Sequence, residues 1–361
     1  MTPQVLVAPD KFKGSLTAAE VADTVASGIR SVSDVPLRLL PMADGGEGTV
    51  AAAVAAGFSR VDVPARGPTG QRVTASFALS GDTAVVELAE ASGLHRLSDG
   101  PAPLTASSAG TGDVVDAAIR AGARRVVLGL GGSACTDGGA GLLTALGARL
   151  LDRSGVDLPP GGAALRDLAR LDLSDLARVD LVLASDVDNP LLGPDGAAAV
   201  YGPQKGARPA AVRILEDGLR RWAEVVGGDP SLPGAGAAGG VGYAALTVLG
   251  ATMRPGVEVL AELLGFDDAV RGARLVITGE GRLDEQTLRG KAPAGVAARA
   301  GGVPVVAVAG QCTLSAARLR ASGIRAAYTL ADVEPDPAKC LADAGPLLTR
   351  VSATLAREWL T

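Results

Sequence analysis

Residues 126–143, VVLGLGGSACTDGGAGLL, restrict the fold of this chain more than any other stretch. They read as a buried strand over 126–130, a glycine turn at Gly131, Gly132 and Ser133, and an acidic tip at Asp137. Gly138, Gly139, Ala140 and Gly141 then open a helix. A strand that turns through glycine into a helix belongs to an α/β layer. The amides bared at such a junction, with the helix dipole behind them, favour an anion such as phosphate. Glycine suits the turn because a side chain would block the ligand's approach. A tight turn between packed layers uses the same residues, so the other strand–helix junctions have to decide.

Two such junctions lie near the N-terminus. A strand over 4–9 runs into Asp10-Lys11-Phe12-Lys13-Gly14-Ser15, and Ser15 or Thr17 can cap a helix over 18–29. A second strand, 37–41, ends in MADGGEGT, which carries Asp44 and Glu47 to a helix over 50–56. Charged residues and glycine thus arrive twice where open α/β sheets bind ligands. Around 60–70 the pattern changes, and 72–79 with 83–88 alternate like an antiparallel hairpin turning at 80–82. Ser107 and Ser108 precede a helix over 113–121, either as ligand-binding hydroxyls or as plain caps. Residues 155–176 read as a surface excursion. A buried strand over 180–184 ends in SDVDNP, which holds Asp186, Asp188 and Asn189, and GPDGAAAVYGPQKGA follows with Lys205. A glycine loop over 233–242 contains Gly236. The apolar strand 273–278 opens onto GEGRLDEQ, bearing Glu280, Arg282 and Asp284, with Gly290-Lys291 beyond. The last units, helix 292–300 and strands 303–309 and 328–330, resemble the N-terminal ones more than the middle. The expected fold class is therefore α/β: a Rossmann-like or flavodoxin-like parallel-sheet domain made of both chain ends, 1–67 plus 286–361, with a larger mixed α/β domain inserted over 68–285.

Composition removes several function classes. At 361 residues there is length for two domains with real cores. No run of about 18 apolar residues occurs, so no membrane span is expected. The N-terminal MTPQVLVAPDKFKG has no cationic leader before an apolar stretch, so no export signal is expected either. Cys135, Cys312 and Cys340 form no CxxC, which fits a reduced, cytoplasmic protein without structural zinc. The net charge is −5 and aromatics are 2%, a poor basis for a nucleic-acid partner. The one histidine, His95, leaves a Ser-His-Asp triad or a histidine metal cluster without material. Lysine is scarce, 5 against 29 arginines, yet Lys11, Lys13, Lys205 and Lys291 fall within KFKG, QKG and GK. A compact ammonium beside glycine suits phosphate, although a glycine-rich chain also places some lysines there by chance.

The nucleotide motifs need weighing. Residues 129–134 match G-x-G-x-x-A after a strand, and Asp152 follows at a distance that suits a dinucleotide site. The same pattern at 234–239 follows a proline loop, which shows how readily this composition generates it. Residues 285–291 approach a P-loop, but the first glycine is missing and Ala292 stands where the hydroxyl belongs. What remains is a mixture of glycine loops, lysines and strand-end carboxylates: Asp44, Glu47, Asp137, Asp186, Asp188, Glu280 and Asp284. Phosphoryl transfer calls for such a mixture, with donors for phosphate oxygens, carboxylates for Mg²⁺ and one carboxylate to take a proton. These residues point to a nucleotide-dependent small-molecule kinase without naming its acceptor.

Taken together, APDKFKGSL (8–16), PMADGGEGT (41–49), GLGGSACTDGGAG (129–141), ASDVDNP (184–190), GPQKGA (202–207), the loop 233–242, ITGEGRLD (277–284) and GKAPAGVA (290–297) resemble the type-1 glycerate kinases of bacteria, in order and across essentially the whole chain. The resemblance implies phosphorylation of D-glycerate with ATP and Mg²⁺, at the 2-hydroxyl to give 2-phosphoglycerate or else at the 3-hydroxyl, in a cleft between the two domains. On that basis Asp186 is the candidate base, with Asp188 assisting or binding metal and Lys11 beside them in the chemistry. Glu280 and Asp284 are the candidate metal ligands. Lys11, Lys13 and Arg282 would meet the glycerate carboxylate, with Asp44, Glu47, Ser107 and Ser108 as further substrate contacts. Gly131, Gly132, Ser133 and Lys205 would hold ATP phosphates, with Asp137, Asn189, Gly236 and Lys291 completing the nucleotide site. Ala292 departs from the Thr or Ser of relatives, Cys135-Thr136 replaces other small or polar pairs, and Asp188 sits at a variable position. Monomer and homodimer both stay open. So do a kinase for another hydroxy acid, an NAD-dependent dehydrogenase and a non-enzymatic ligand sensor.

Overall fold

A computed structural model describes residues 4–361 and divides the chain into two compact units. The first comprises Met1–Asp44, Ala51–Gly57 and Pro255–Thr361; the second comprises Gly45–Val50 and Phe58–Arg254. In chain order the strands are β1 (Gln4–Val7), β2 (Leu37–Leu39), β3 (Ser59–Arg66), β4 (Arg72–Ser80), β5 (Thr83–Glu87), β6 (Arg125–Gly129) and β7 (Arg149–Leu151). They continue as β8 (Arg170–Asp172), β9 (Asp180–Ala184), β10 (Thr252–Arg254), β11 (Ala273–Leu283), β12 (Val305–Cys312) and β13 (Ile324–Thr329). Among the described residues, no helix is long and apolar enough to cross a membrane.

The first unit is built on a five-stranded parallel sheet in the order β13-β12-β11-β1-β2. This is the flavodoxin-like winding, in which the chain leaves β1 for β2 on one side and later adds β11 on the other. Parallel strands are covered on both faces and so read as continuous apolar runs. Val5 and Val7, Leu275 and Ile277, and Val306 and Val308 share one buried cluster with the helices Ala18–Arg30 and Ala344–Trp359. The intervening Leu6, Val276, Val305 and Ala307 are equally buried. Helix Ala18–Arg30 forms because Val21, Ala22, Val25, Ala26 and Ile29 recur at helical spacing and are all buried. Its start is a capping box: Glu20 N–H donates to Thr17 Oγ1 at 3.3 Å, and Thr17 N–H donates to the Glu20 carboxylate at 2.8 Å.

The second unit holds a six-stranded mixed sheet, β10-β9-β6-β5-β4-β3. Strands β5, β6, β9 and β10 are parallel, and β3, β4 and β5 form an antiparallel meander. Strands β7 and β8 pair in a separate antiparallel hairpin. The core joins Phe77, Val86, Leu128 and Leu183 of the sheet to Val114, Val115 and Leu142 of the covering helices. A neighbouring cluster centres on Leu143, Leu165, Leu219, Trp222 and Tyr243.

The α/β class with a parallel sheet from both chain ends and a mixed second unit agrees with the sequence reading. The division of the chain differs from the expected 1–67, 68–285 and 286–361. Strand β11, expected inside the insertion, is the central strand of the first sheet, paired to β1 on one side and β12 on the other. Residues from Pro255 onward therefore belong with the first unit. Strand β3 went unread in the sequence and supplies the free edge of the second sheet, with exposed Arg, Asp and Ser along it.

Candidate active site

In the first unit, three neighbouring strands bring carboxylates to their C-terminal ends. Beyond β1 the backbone stays in register, with Asp10 N–H donating to Gly279 O at 2.8 Å and Met42 N–H donating to Pro9 O at 2.8 Å. This lays Asp10 between Glu280 of β11 and the segment that ends in Asp44. The crevice outside β1 and β11 is the switch point of the sheet, where ligands of open α/β folds bind. The glycines of GEG permit the approach. A Cβ at Gly279 would lie 2.3 Å from Val308 O, and one at Gly281 would lie 3.3 Å from Lys13 N.

Asp10 is only 5% exposed. Its Oδ1 accepts from Lys11 N–H at 2.6 Å and from Lys11 Nζ at 3.4 Å. Burial pushes its pKa up to about 7; Lys11 opposes the rise, and the charges of Asp44 and Glu280 add to it. Glu280 is likewise raised by burial, against hydrogen bonds from Thr287 Oγ1 and Lys291, the latter with Nζ at 3.5 Å. Asp284 accepts from Gln286 N–H at 2.9 Å and lies 3.5 Å from Arg282 Nε. Arg282 and Lys13 are exposed. Lys13 also lines a cavity of about 220 Å³ with Phe12, Gly281, Gly310, Leu330 and Leu341. Among the described residues, no group of three or more His, Cys, Asp or Glu is arranged to hold a metal ion by itself. The donors here are nonetheless all oxygen, and Mg²⁺ is commonly held by one or two carboxylates, with waters and substrate phosphates filling its other positions. The residues present fit such an ion.

The second unit contains the glycine turn after β6, and its surroundings differ from the sequence reading. Asp137 is not an exposed tip but is fully buried. Its Oδ2 accepts from Ser107 Oγ (3.2 Å), Ser108 N–H (2.8 Å), Ser108 Oγ (2.9 Å) and Gly141 N–H (3.2 Å), while Oδ1 accepts from Gly139 N–H (3.1 Å). Gly138 and Gly139 take left-handed φ of 65° and 78°, which turns their backbone around the carboxylate. Asp137, Ser107 and Ser108 thus satisfy one another inside the unit. Ser108 stands before helix Ala109–Arg120 but makes no cap bond to it. Its hydroxyl oxygen instead accepts from Leu142 N–H at 2.9 Å. Lys205 is 2% exposed, and its ammonium donates to Ser133 Oγ at 2.8 Å and Cys135 O at 2.5 Å. Burial lowers its pKa. It holds the turn from within rather than reaching outward.

The glycines of the turn are crowded by backbone. A Cβ at Gly129 would sit 2.5 Å from Gly45 O, and one at Gly131 would sit 2.5 Å from Gly46 Cα. Gly131 N–H donates to Gly45 O at 3.3 Å. Packing against residues 45 and 46 therefore accounts for these two glycines. Gly132 alone shows a φ of 72°, with Ala89 Cβ as the nearest obstacle at 3.2 Å. The segment carrying exposed Glu47 is pinned by Glu87, which the sequence reading missed: its Oε2 accepts from Gly48 N–H at 3.0 Å and Val50 N–H at 3.4 Å. Burial, helped by the charges of Glu90 and Glu47, pushes Glu87 up to about 7.

After β9, Asp186 and Asp188 are exposed. Asn189 acts as a loop staple: its Oδ1 accepts from Tyr201 O–H at 2.6 Å, and its Nδ2 donates to Asp195 O at 2.9 Å. Gly236 N–H donates to Asn189 O at 2.9 Å, and a Cβ there would lie 2.3 Å from Pro190 O. Asp152, the acidic residue of the dinucleotide pattern, accepts from Ser154 N–H and Val156 N–H in the turn after the antiparallel strand β7. It does not end a parallel strand, as the pattern requires.

Residues 5–360 match the glycerate kinase family. A glycerate kinase of Bacillus subtilis (strain 168) is 45% identical over 345 residues, covering 91% of this chain and 90% of that protein. A glycerate 2-kinase of Escherichia coli (strain K12) is 41% identical over 344 residues, with 91% and 90% covered. A crystal structure from Salmonella typhimurium LT2, described as a glycerate kinase 2, superposes with a TM-score of 0.86 at 40% identity, over 99% of this chain and 98% of that one. The family match and the relatives place the chain among the phosphotransferases. It belongs to the glycerate kinase family.

Proposed function

We propose that the protein transfers the terminal phosphoryl group of ATP to the 2-hydroxyl of D-glycerate, giving 2-phosphoglycerate. The observation that carries this reading is the group of carboxylates and lysines at the switch point of the first sheet, Asp10, Lys11, Asp44, Glu280 and Lys291, in a chain whose relatives are named glycerate kinases. The name of the E. coli relative, glycerate 2-kinase, favours the 2-phosphate over the 3-phosphate. Lys11, Lys13 and Arg282 would meet the glycerate carboxylate, because an anion gains most from cationic donors. Asp44 and Glu47 would be further contacts of the acceptor. Glu280 and Asp284 would hold Mg²⁺, which when bound neutralises charge on the phosphate oxygens. Lys291, already beside Glu280, balances charge there. Amides of the turn at Gly132 and Ser133 would take phosphate oxygens, the Gly131 amide being engaged by Gly45 O, and Lys205 fixes that turn through Ser133. Asp186 and Asp188 lie on the exposed loop after β9, and Asp188 would meet metal-bound nucleotide. A reaction of this kind belongs in the cytoplasm, which suits three unpaired cysteines.

Purified protein incubated with ATP, Mg²⁺ and D-glycerate tests the reading through coupled detection of ADP. Release that depends on D-glycerate supports it. ADP release with another hydroxy acid but not with D-glycerate would refute the substrate.

A further inference from the structure

We propose that Asp10 is the carboxylate that takes the proton from the acceptor hydroxyl. This rests on the phosphotransfer reading above and adds to it the residue that performs the step. As the acceptor oxygen forms its bond to the terminal phosphorus, its proton passes to Asp10 Oδ2. The bond from that phosphorus to the β–γ bridging oxygen breaks, ADP leaves, and Asp10 returns the proton to solvent.

Position, orientation and surroundings all single out this side chain. Asp10 follows the strand at the switch point of the sheet, and its backbone is held in register by the bond to Gly279 O. Its two oxygens are unlike. Oδ1 is fixed by the Lys11 amide and ammonium, whereas among the described residues Oδ2 accepts no hydrogen bond. One oxygen thus orients the group and the other is left for a ligand. The charged groups that act on it are Lys11 from its own segment, Asp44 from the segment beyond β2, and Glu280 from β11. At 5% exposure the carboxylate is enclosed, so a hydroxyl that reaches Oδ2 meets it with little competition from bulk water. The exposed Asp186 has no such enclosure. In the sequence Asp10 is overshadowed by the lysines of APDKFKG.

The test uses the full chain with Asp10→Asn, Asp10→Glu and Asp186→Asn variants, following ADP release with MgATP and D-glycerate, together with thermal melting. Asp10→Asn is expected to lower kcat by roughly 10²-fold or more, with KM for D-glycerate changed by less than about threefold. Its melting temperature should not fall. Asparagine keeps an acceptor for Lys11 N–H and removes a charge from between Asp44 and Glu280. Asp10→Glu should recover part of the lost turnover, and the acid limb of kcat against pH should vanish in Asp10→Asn. Asp186→Asn should retain more turnover than Asp10→Asn. Near-full kcat in Asp10→Asn, or a loss matched by lower melting temperature and not relieved in Asp10→Glu, overturns the role of Asp10 alone. Wild-type protein that releases no ADP with D-glycerate overturns the reaction, and the role with it.

Discussion

Replacing Asp137 by alanine separates an internal support from a nucleotide ligand. The buried carboxylate accepts from three backbone amides, those of Ser108, Gly139 and Gly141, and from the hydroxyls of Ser107 and Ser108. The hydroxyls can rotate to other acceptors, but the amides cannot. Each buried amide left unpaired costs about 1–3 kcal/mol, so even at the low end the three together cost about 3 kcal/mol. The deletion also leaves the buried Lys205 without the nearby anion that favours its charge. For a unit of this size, 3 kcal/mol lowers the melting temperature by roughly 6–12 °C. Asp137→Asn should fall between wild type and alanine, because its oxygen can replace Oδ2 while its NH₂ then faces the Gly139 amide. Melting followed by circular dichroism, with hydrogen exchange at Gly139 and Gly141, measures both effects. An unchanged melting temperature together with a raised KM for ATP would refute the argument and return Asp137 to the nucleotide.

Other parts of the molecule are open to similar tests. Glu87 titrates at about 7 in the folded protein against 4.5 when unperturbed, so the folded state holds the extra proton between those values. Stability is then full below pH 4.5 and declines as pH rises to 7. Glu87→Gln should therefore gain about 3 kcal/mol over wild type at pH 8 and nothing at about pH 4; equal differences at both pH values in denaturant melts would contradict the burial argument. Gly129→Ala drives a methyl into the backbone of Gly45 and should cost about 2 kcal/mol, seen as a lower melting temperature. An alanine variant as stable as wild type would show that residues 45 and 46 do not press on β6.

Periodicity made much of the scaffold legible. The strand at 180–184, the hairpin turning at 80–82 and the helix from Ala18 all stand where apolar spacing put them. Strand β3 was missed because SRVDVPAR carries Arg, Asp and Pro, and an edge strand exposed on alternate positions has little apolar signal. Strand β11 extends to Leu283 through GEGRL, a segment that reads as a loop until β12 pairs with it. The site is harder to read, because a charged residue in a sequence suggests exposure. Asp137 sits among glycines and reads as a tip, yet its burial depends on Ser107 and Ser108, about 30 residues away in sequence. Lys205 beside glycine reads as a phosphate contact, while tertiary packing turns it inward to Ser133 and Cys135. Asp10 and Glu87 each end an apolar run in a carboxylate. That signal is visible in sequence when strand ends are weighed by what precedes them.

Product identity tests the central claim most directly. Phosphorus NMR of the full-length protein with ATP, Mg²⁺ and D-glycerate should show ADP rising in step with the resonance of 2-phosphoglycerate. A spectrum in which ATP persists, or in which it falls equally fast without D-glycerate, would contradict the account.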